Sequence, residues 1–155
     1  MTESTQLAHA SPESAHQAPR HRMLENDRAS QALGITVLQA DPGHARIQMS
    51  IREDMTNGFD IAHGGMIFSL ADTCFAMACN HPELDEGTIT VAAGVDINFL
   101  RSAHLGDELV AESRQVAQAG RSGVYDVTIT RGEELIGVFR GRSRTVPTPG
   151  KKQIS

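Results

Sequence analysis

No run of about 18 apolar residues occurs in this 155-residue chain, and its first residues hold no basic stretch followed by an apolar one. Neither a membrane span nor a secretory signal is expected, and the cytoplasm follows as the default compartment. Cysteine is scarce: Cys74 and Cys79 share a predicted helix at a spacing that suits neither a disulfide nor a Cys-x-x-Cys motif, so both read as reduced core residues. Basic residues are outnumbered, 14 Lys and Arg against 19 Asp and Glu for a formal net charge of −5. The chain thus lacks the positive footprint that displaces counterions from DNA or RNA, and no nucleic-acid partner is expected. Gly-x-Ser-x-Gly, a Gly-rich phosphate loop and His-Glu-x-x-His are all missing, and His44, His81 and His104 show no metal-ligand spacing. Serine-hydrolase and zinc chemistry lose their usual signatures, and no metal or cofactor is expected.

What is present is enough apolar material, 39% of residues, for one sizeable core. Residues 1–22 mix Ser, Thr, Pro, His, Gln and Ala with few large apolar groups, too little to offset the entropy of ordering, and read as a disordered tail that includes His9, His16 and His21. Residues 147–155 read as a flexible C-terminal tail, which leaves 23–146 as the single domain. Within it, 23–33 suits a short helix stopped by Gly34, and 35–38 and 45–51 read as strands joined by a turn at Asp41, Pro42, Gly43 and His44. A long apolar helix follows, and then strands at 88–100, 108–117, 123–130 and 135–145. The turns are too short for parallel crossovers, so the sheet is antiparallel. A helix apolar nearly all round must be covered on most sides, and a curved sheet wrapped about it does this. The expected class is α+β.

The chemistry concentrates between Asn57 and Asn80, NGFDIAHGGMIFSLADTCFAMACN. A His-Gly-Gly turn, His63, Gly64 and Gly65, opens the long helix, and a single acid, Asp72, sits among Met66, Ile67, Phe68, Leu70, Phe75 and Met77. An acid in apolar surroundings needs partners or a job. Near Gly64 the free N–H groups and positive dipole end of a helix start face outward, ready for a carbonyl oxygen. Read without further context, Asp72 could instead be a buried acid bonded to Ser69, Thr73 or an amide of another chain; Asn57-Gly58 could be a plain turn; and His63 could be a cap. Met55, Phe59, Met66, Phe68 and Leu70 could line an apolar pocket or simply pack the core.

Five segments carry a family likeness: His63-Gly64-Gly65, IFSLADTCFAMACN (67–80), VDINFLR (95–101), GVYDV (123–127) and VFRGRS (138–143). Together they resemble hotdog-fold acyl-CoA thioesterases of the phenylacetic-acid-degradation type. The resemblance implies a hotdog fold, a long central helix wrapped by a curved antiparallel β-sheet. It implies hydrolysis of acyl-CoA thioesters, of phenylacetyl-CoA or hydroxyphenylacetyl-CoA type, without metal or bound cofactor, by dimers that pair into tetramers. Asp72 takes the place of the nucleophile or general base, the Gly64 N–H polarises the carbonyl, and Asn57 holds water or substrate. His63 and Gly65 frame the substrate site. Relatives often carry Ser or Thr on the strand after the helix, where this chain has Ala92, Ala93 and Gly94; the nearest hydroxyls are Thr88 and Thr90. The connection HPELDEG (81–87) also looks long. Coenzyme A phosphates would fall to scattered cations, for which Arg101, Arg121 and Arg142 are the candidates.

Eight helical residues advance about 12 Å, so Gly64 and Asp72 of one chain cannot both touch one thioester carbon. A homodimer with helices antiparallel about a two-fold axis places Asp72 of one chain beside Gly64 of the other and makes two shared sites. Two alternatives remain. A hotdog hydratase or dehydratase needs a His and an acid converging on an alkene, and a non-catalytic acyl-CoA-binding module keeps the pocket without using the acid.

Overall fold

The computed structural model describes residues 21–81 and 87–150. A 3-10 turn, Arg22–Glu25, and a short helix α1, Arg28–Ala32, lead into an antiparallel hairpin of β1, Thr36–Asp41, and β2, His44–Ser50. A second 3-10 turn, Glu53–Met55, precedes the long helix α2, Gly64–Cys79. Four strands follow: β3, Thr88–Phe99; β4, Glu108–Ala119; β5, Ser122–Arg131; and β6, Glu134–Pro147. They form one six-stranded antiparallel sheet in the order β1-β2-β4-β5-β6-β3. The α+β hotdog arrangement expected from sequence is the one observed. No helix among the described residues is long and apolar enough to cross a membrane.

Alternation explains the wrapping. Ala45, Ile47 and Met49 of β2, Leu109 and Ala111 of β4, Tyr125, Val127 and Ile129 of β5, and Phe139 of β6 all point inward, and every one is buried. They meet Ile67, Leu70, Ala71, Cys74, Phe75, Met77 and Ala78 of α2, which form one core with them. Phe75 is the keystone. Its ring packs edge-on against Tyr125 (5.5 Å between centroids) and tilted against Phe139 (5.8 Å), and it lies over Gly141, where a Cβ would come within 2.6 Å of the ring. The Cys74 thiol lies between β2 and β4, donating to the carbonyls of Ala45 and Ala111.

The helix expected over 23–33 is divided. Asp27 caps α1, its Oδ1 accepting from the Ser30 N–H at 3.0 Å, so the chain breaks at Asn26 and Asp27 rather than running through. His21, assigned by its composition to the tail, is 2% exposed and caps the first turn through Nδ1. Burial holds its imidazole below the ordinary histidine pKa. Residues 1–20, 82–86 and 151–155, which carry most of the two expected tails and of the long connection, lie outside the described residues.

Among the described residues the sheet ends on β3, a 12-residue strand whose one partner there is β6. Val91 and Phe99 on it, and Leu100 just beyond, are exposed. A long edge strand of this kind is a ready template for another strand.

Gly141→Ala should destabilise the fold by about 1–3 kcal/mol in urea unfolding, because Phe75 is held on two sides and cannot give way. An unchanged midpoint would mean that the ring is free to move.

Candidate active site

The start of α2 is fixed from behind. The His63 N–H donates to the Met55 carbonyl at 2.8 Å and the Ala62 N–H to the Ala103 carbonyl at 2.7 Å, which seats the His-Gly-Gly turn against two loops. His63 has extended backbone, and its Nδ1 accepts from the Gly65 N–H at 3.0 Å, so the imidazole is the cap of the helix. The His63 carbonyl accepts from Met66 and Ile67. Among the described residues, that leaves the Gly64 N–H as the first-turn amide without a partner.

Gly64 lines a cleft of about 300 Å³ together with Asn57, Ile61, Phe99, Arg101 and Ser102. The Phe99 ring lies so near that a Cβ on residue 64 would stand 3.1 Å from its Cζ; glycine is what lets the aromatic wall approach the helix start. Asn57 serves two readings at once. Its Oδ1 accepts from the Phe59 N–H at 2.9 Å, forming the turn, while its side-chain NH₂ has no partner among the described residues and belongs to a cleft wall. The turn carries Asp60 in the left-handed region, φ 58°, with Phe59 85% exposed at its tip.

Asp72 stands eight residues along the same unbroken helix and does not line this cleft. It is half-buried on the least covered strip of α2, with Ser69 and Ala76 beside it and exposed Gly65 at the start. Its carboxylate makes no hydrogen bond or ion pair among the described residues. The two hydroxyls that could have held it are committed elsewhere: Ser69 Oγ donates to the Gly65 carbonyl at 2.8 Å, and Thr73 Oγ1 meets Ser30 Oγ at 3.4 Å. Burial alone raises its pKa from the ordinary aspartate value.

The three candidate cations do not converge. Arg101 borders the cleft but donates to the Leu135 carbonyl and lies 3.4 Å from Glu134. Arg142 is on the opposite face of the sheet, paired with Asp96 at 2.6 Å. Arg121 is exposed at the turn between β4 and β5 and has no acidic partner among the described residues. Phe99 and Ser102 are not singled out by the sequence; the only hint of them is their place around the FLR segment. Burial pushes the Cys74 thiol up and the Cys79 thiol up to about 12, so neither supplies a thiolate. One protomer therefore holds an unpaired amide at a helix start and an unpaired carboxylate, separated by about 12 Å of helix.

A family model described as the thioesterase superfamily matches residues 59–138. The chain is 40% identical over 127 residues to acyl-coenzyme A thioesterase PaaI of Escherichia coli (strain K12), which covers 81% of this chain and 88% of that protein. The solved structure of the E. coli PaaI protein from the phenylacetic acid degradation operon matches with a TM-score of 0.75, over 80% of this chain and 88% of that one. A mutant form of the phenylacetic acid degradation protein PaaI from Thermus thermophilus is 29% identical, with a TM-score of 0.69 over 74% of this chain and 96% of that one. The smu.793 protein of Streptococcus mutans UA159, solved bound to acetyl-CoA, shares the fold at 24% identity, with a TM-score of 0.66 over 74% and 90%.

Removing the cap with His63→Ala should cost about 0.5–2 kcal/mol of stability, and His63→Asn should restore most of it. Urea unfolding of the two variants checks this, and equal midpoints for both would remove the capping role.

Proposed function

Since the chain belongs to the hotdog-fold acyl-CoA thioesterases, we propose that it hydrolyses arylacetyl-CoA thioesters, of phenylacetyl or hydroxyphenylacetyl type, to the free acid and coenzyme A. Asp72 acts as nucleophile or general base, and the Gly64 N–H polarises the thioester carbonyl. The observation that carries this reading is the pair of groups on α2 without partners among the described residues, the Asp72 carboxylate and the Gly64 amide, beside Gly65, Ser69 and Thr73, whose polar groups are bonded. The acyl class is supported by the operon from which the E. coli relative comes.

In the general-base form, Asp72 takes a proton from water as its oxygen attacks the thioester carbon. The carbonyl oxygen becomes an oxyanion facing the Gly64 N–H and the positive end of α2. Collapse breaks the carbon–sulfur bond, and the proton on Asp72 passes to the departing thiolate. In the nucleophilic form the carboxylate itself attacks, an acyl–Asp anhydride forms as thiolate leaves, and water then cleaves the anhydride. Both forms use the same donor, and loss of one such donor typically raises the barrier by about 2.7–4 kcal/mol. Asn57 positions water or substrate with its free NH₂, while His63 and Gly65 frame the turn. A hydratase would need His63 as a catalytic base, and its Nδ1 is already committed to the cap.

The assembly is a homodimer with shared sites, two of which pair as a homotetramer. It is supported by the span between Gly64 and Asp72, by the half-covered strip on which Asp72 lies, and by the unpaired edge of β3. Arg101, on the cleft wall, and Arg121, exposed without an acidic partner among the described residues, remain the cations for coenzyme A phosphates, and Arg142 would have to exchange Asp96 for phosphate.

With phenylacetyl-CoA and thiol detection, Asp72→Asn should lower kcat by about 10²- to 10⁴-fold. Because the ionised carboxylate is the working form and burial raises its pKa, wild-type kcat/KM should fall as pH drops through a midpoint above the ordinary aspartate value. Near-normal turnover in Asp72→Asn would sink the assignment. Mixing Asp72→Asn chains with chains altered at Gly64 should regain activity, since a hybrid dimer holds one intact site; no recovery would count against sharing.

A further inference from the structure

One wall of the cleft at the start of α2 is the loop between β3 and β4, which contributes Arg101, Ser102 and Ala103. Its backbone is seated along its length. The Leu100 and Arg101 N–H groups both donate to the Ile136 carbonyl, the Ala103 carbonyl accepts from Ala62, and at the far end Gly106 and Asp107 exchange hydrogen bonds with Ile51. Charge joins the two ends of the same loop. Asp107 pairs with Arg131 at the end of β5, Arg131 pairs with Glu134 at the start of β6, and Glu134 Oε1 lies 3.4 Å from Arg101 Nε. The His104 N–H donates to the Asp107 carboxylate at 2.8 Å. The turn between β5 and β6 therefore bridges the loop from Asp107 back to Arg101.

The bridge occupies part of the Arg101 guanidinium and spares the rest. Nε faces Glu134 and Nη1 donates to the Leu135 carbonyl at 2.8 Å, while Nη2 has no partner among the described residues. Arg140 makes the contrast: its Nε and Nη2 are both spent on the two oxygens of Asp126. A carboxylate beside an anion site ordinarily repels the anion. Here Glu134 gives its other oxygen to Arg131, so its charge is divided between two guanidinium groups. An arginine already held on one side loses less side-chain freedom when it meets a ligand. The Arg101 side chain is also half-exposed, running from the cleft wall to water. A coenzyme A whose thioester carbon sits at the Gly64 amide keeps its phosphates on that watery side.

We propose that Glu134 is a positioning residue that acts through Arg101, holding the guanidinium so that Nη2 donates to a phosphate of coenzyme A, with Arg131 and Asp107 keeping Glu134 in place. This rests on the functional reading above and deepens it, singling out Arg101 from Arg121 and Arg142 and naming what aims it. The pyrophosphate and the 3′-phosphate offer a guanidinium the same chemistry.

Calorimetry with coenzyme A, dephospho-coenzyme A and pantetheine tests this without turnover, on the wild type, Arg101→Met, Glu134→Gln and the double variant. Arg101→Met should weaken coenzyme A by about tenfold or more, and Glu134→Gln by about three- to tenfold. Neither should alter pantetheine, and the double variant should match Arg101→Met, because Glu134 has no other route to the ligand. Losses confined to coenzyme A assign the contact to the 3′-phosphate, and losses shared with dephospho-coenzyme A assign it to the pyrophosphate; both bear the proposal out. A wild type that binds pantetheine as tightly as coenzyme A overturns it with no variant needed. Unchanged or tighter coenzyme A binding in Glu134→Gln, equal losses on pantetheine, or losses that add in the double variant also overturn it. Failure of the underlying functional reading registers differently, as coenzyme A bound in the expected pattern with no thiol released from phenylacetyl-CoA.

Discussion

The burial of α2 governs everything else in this molecule. Sixteen residues with apolar groups on nearly every side must be enclosed, and the six-stranded sheet encloses them on all but one strip. That strip is where Asp72 emerges. Enough of the side chain is covered to disfavour its charge, yet no hydroxyl or amide among the described residues compensates. A carboxylate in this position weakens the fold of a lone protomer, and natural chains keep such groups where chemistry or assembly repays them.

The two ends of the helix are treated differently. At its start the amide of Gly65 is closed by His63, while that of Gly64 has no partner among the described residues and lies beside an aromatic wall, so the amide that anchors the helix is not the one proposed to meet the thioester carbonyl. The division lets the turn stay rigid whether or not a ligand is present. At the far end Asn80 donates to the Ala76 and Thr90 carbonyls and accepts from the Thr90 N–H, which ties the helix exit to the first turn of β3. Gly64, Asp72 and Asn80 are thus held by one stiff rod, and distances along it are set by helical rise alone.

Local pattern makes most of this legible. The strands are readable from alternation and from their Gly-containing turns, and their limits lie within a few residues of those expected, because a half-buried antiparallel sheet writes its register into every second residue. Asp72, Gly64, Asn57 and His63 are visible because one continuous segment carries them. Long-range contacts are not. Phe99 comes to rest on Gly64 only through the pairing of β3 with β6, and Asp96 reaches Arg142 across 46 residues of chain, turning a candidate phosphate ligand into half of an ion pair. His21 departs from expectation for a related reason: its neighbours in sequence are polar, and its burial comes from contact with the end of α2. Asp27 splits the first helix because a short acid bonds its own backbone more readily than it extends a turn.

The tip of the first hairpin carries a quieter consequence. The Gly43 N–H donates to the Ala78 carbonyl, and the Gly43 carbonyl accepts from the Gln115 N–H. Ala78 belongs to the last turn of α2, whose carbonyls have no intrahelical donors. A residue far upstream in the chain therefore finishes the helix, and the same residue clasps β4. Fraying, which ordinarily begins at helix ends and hairpin tips independently, is here a concerted event: the rod, the loop and the neighbouring strand must let go together.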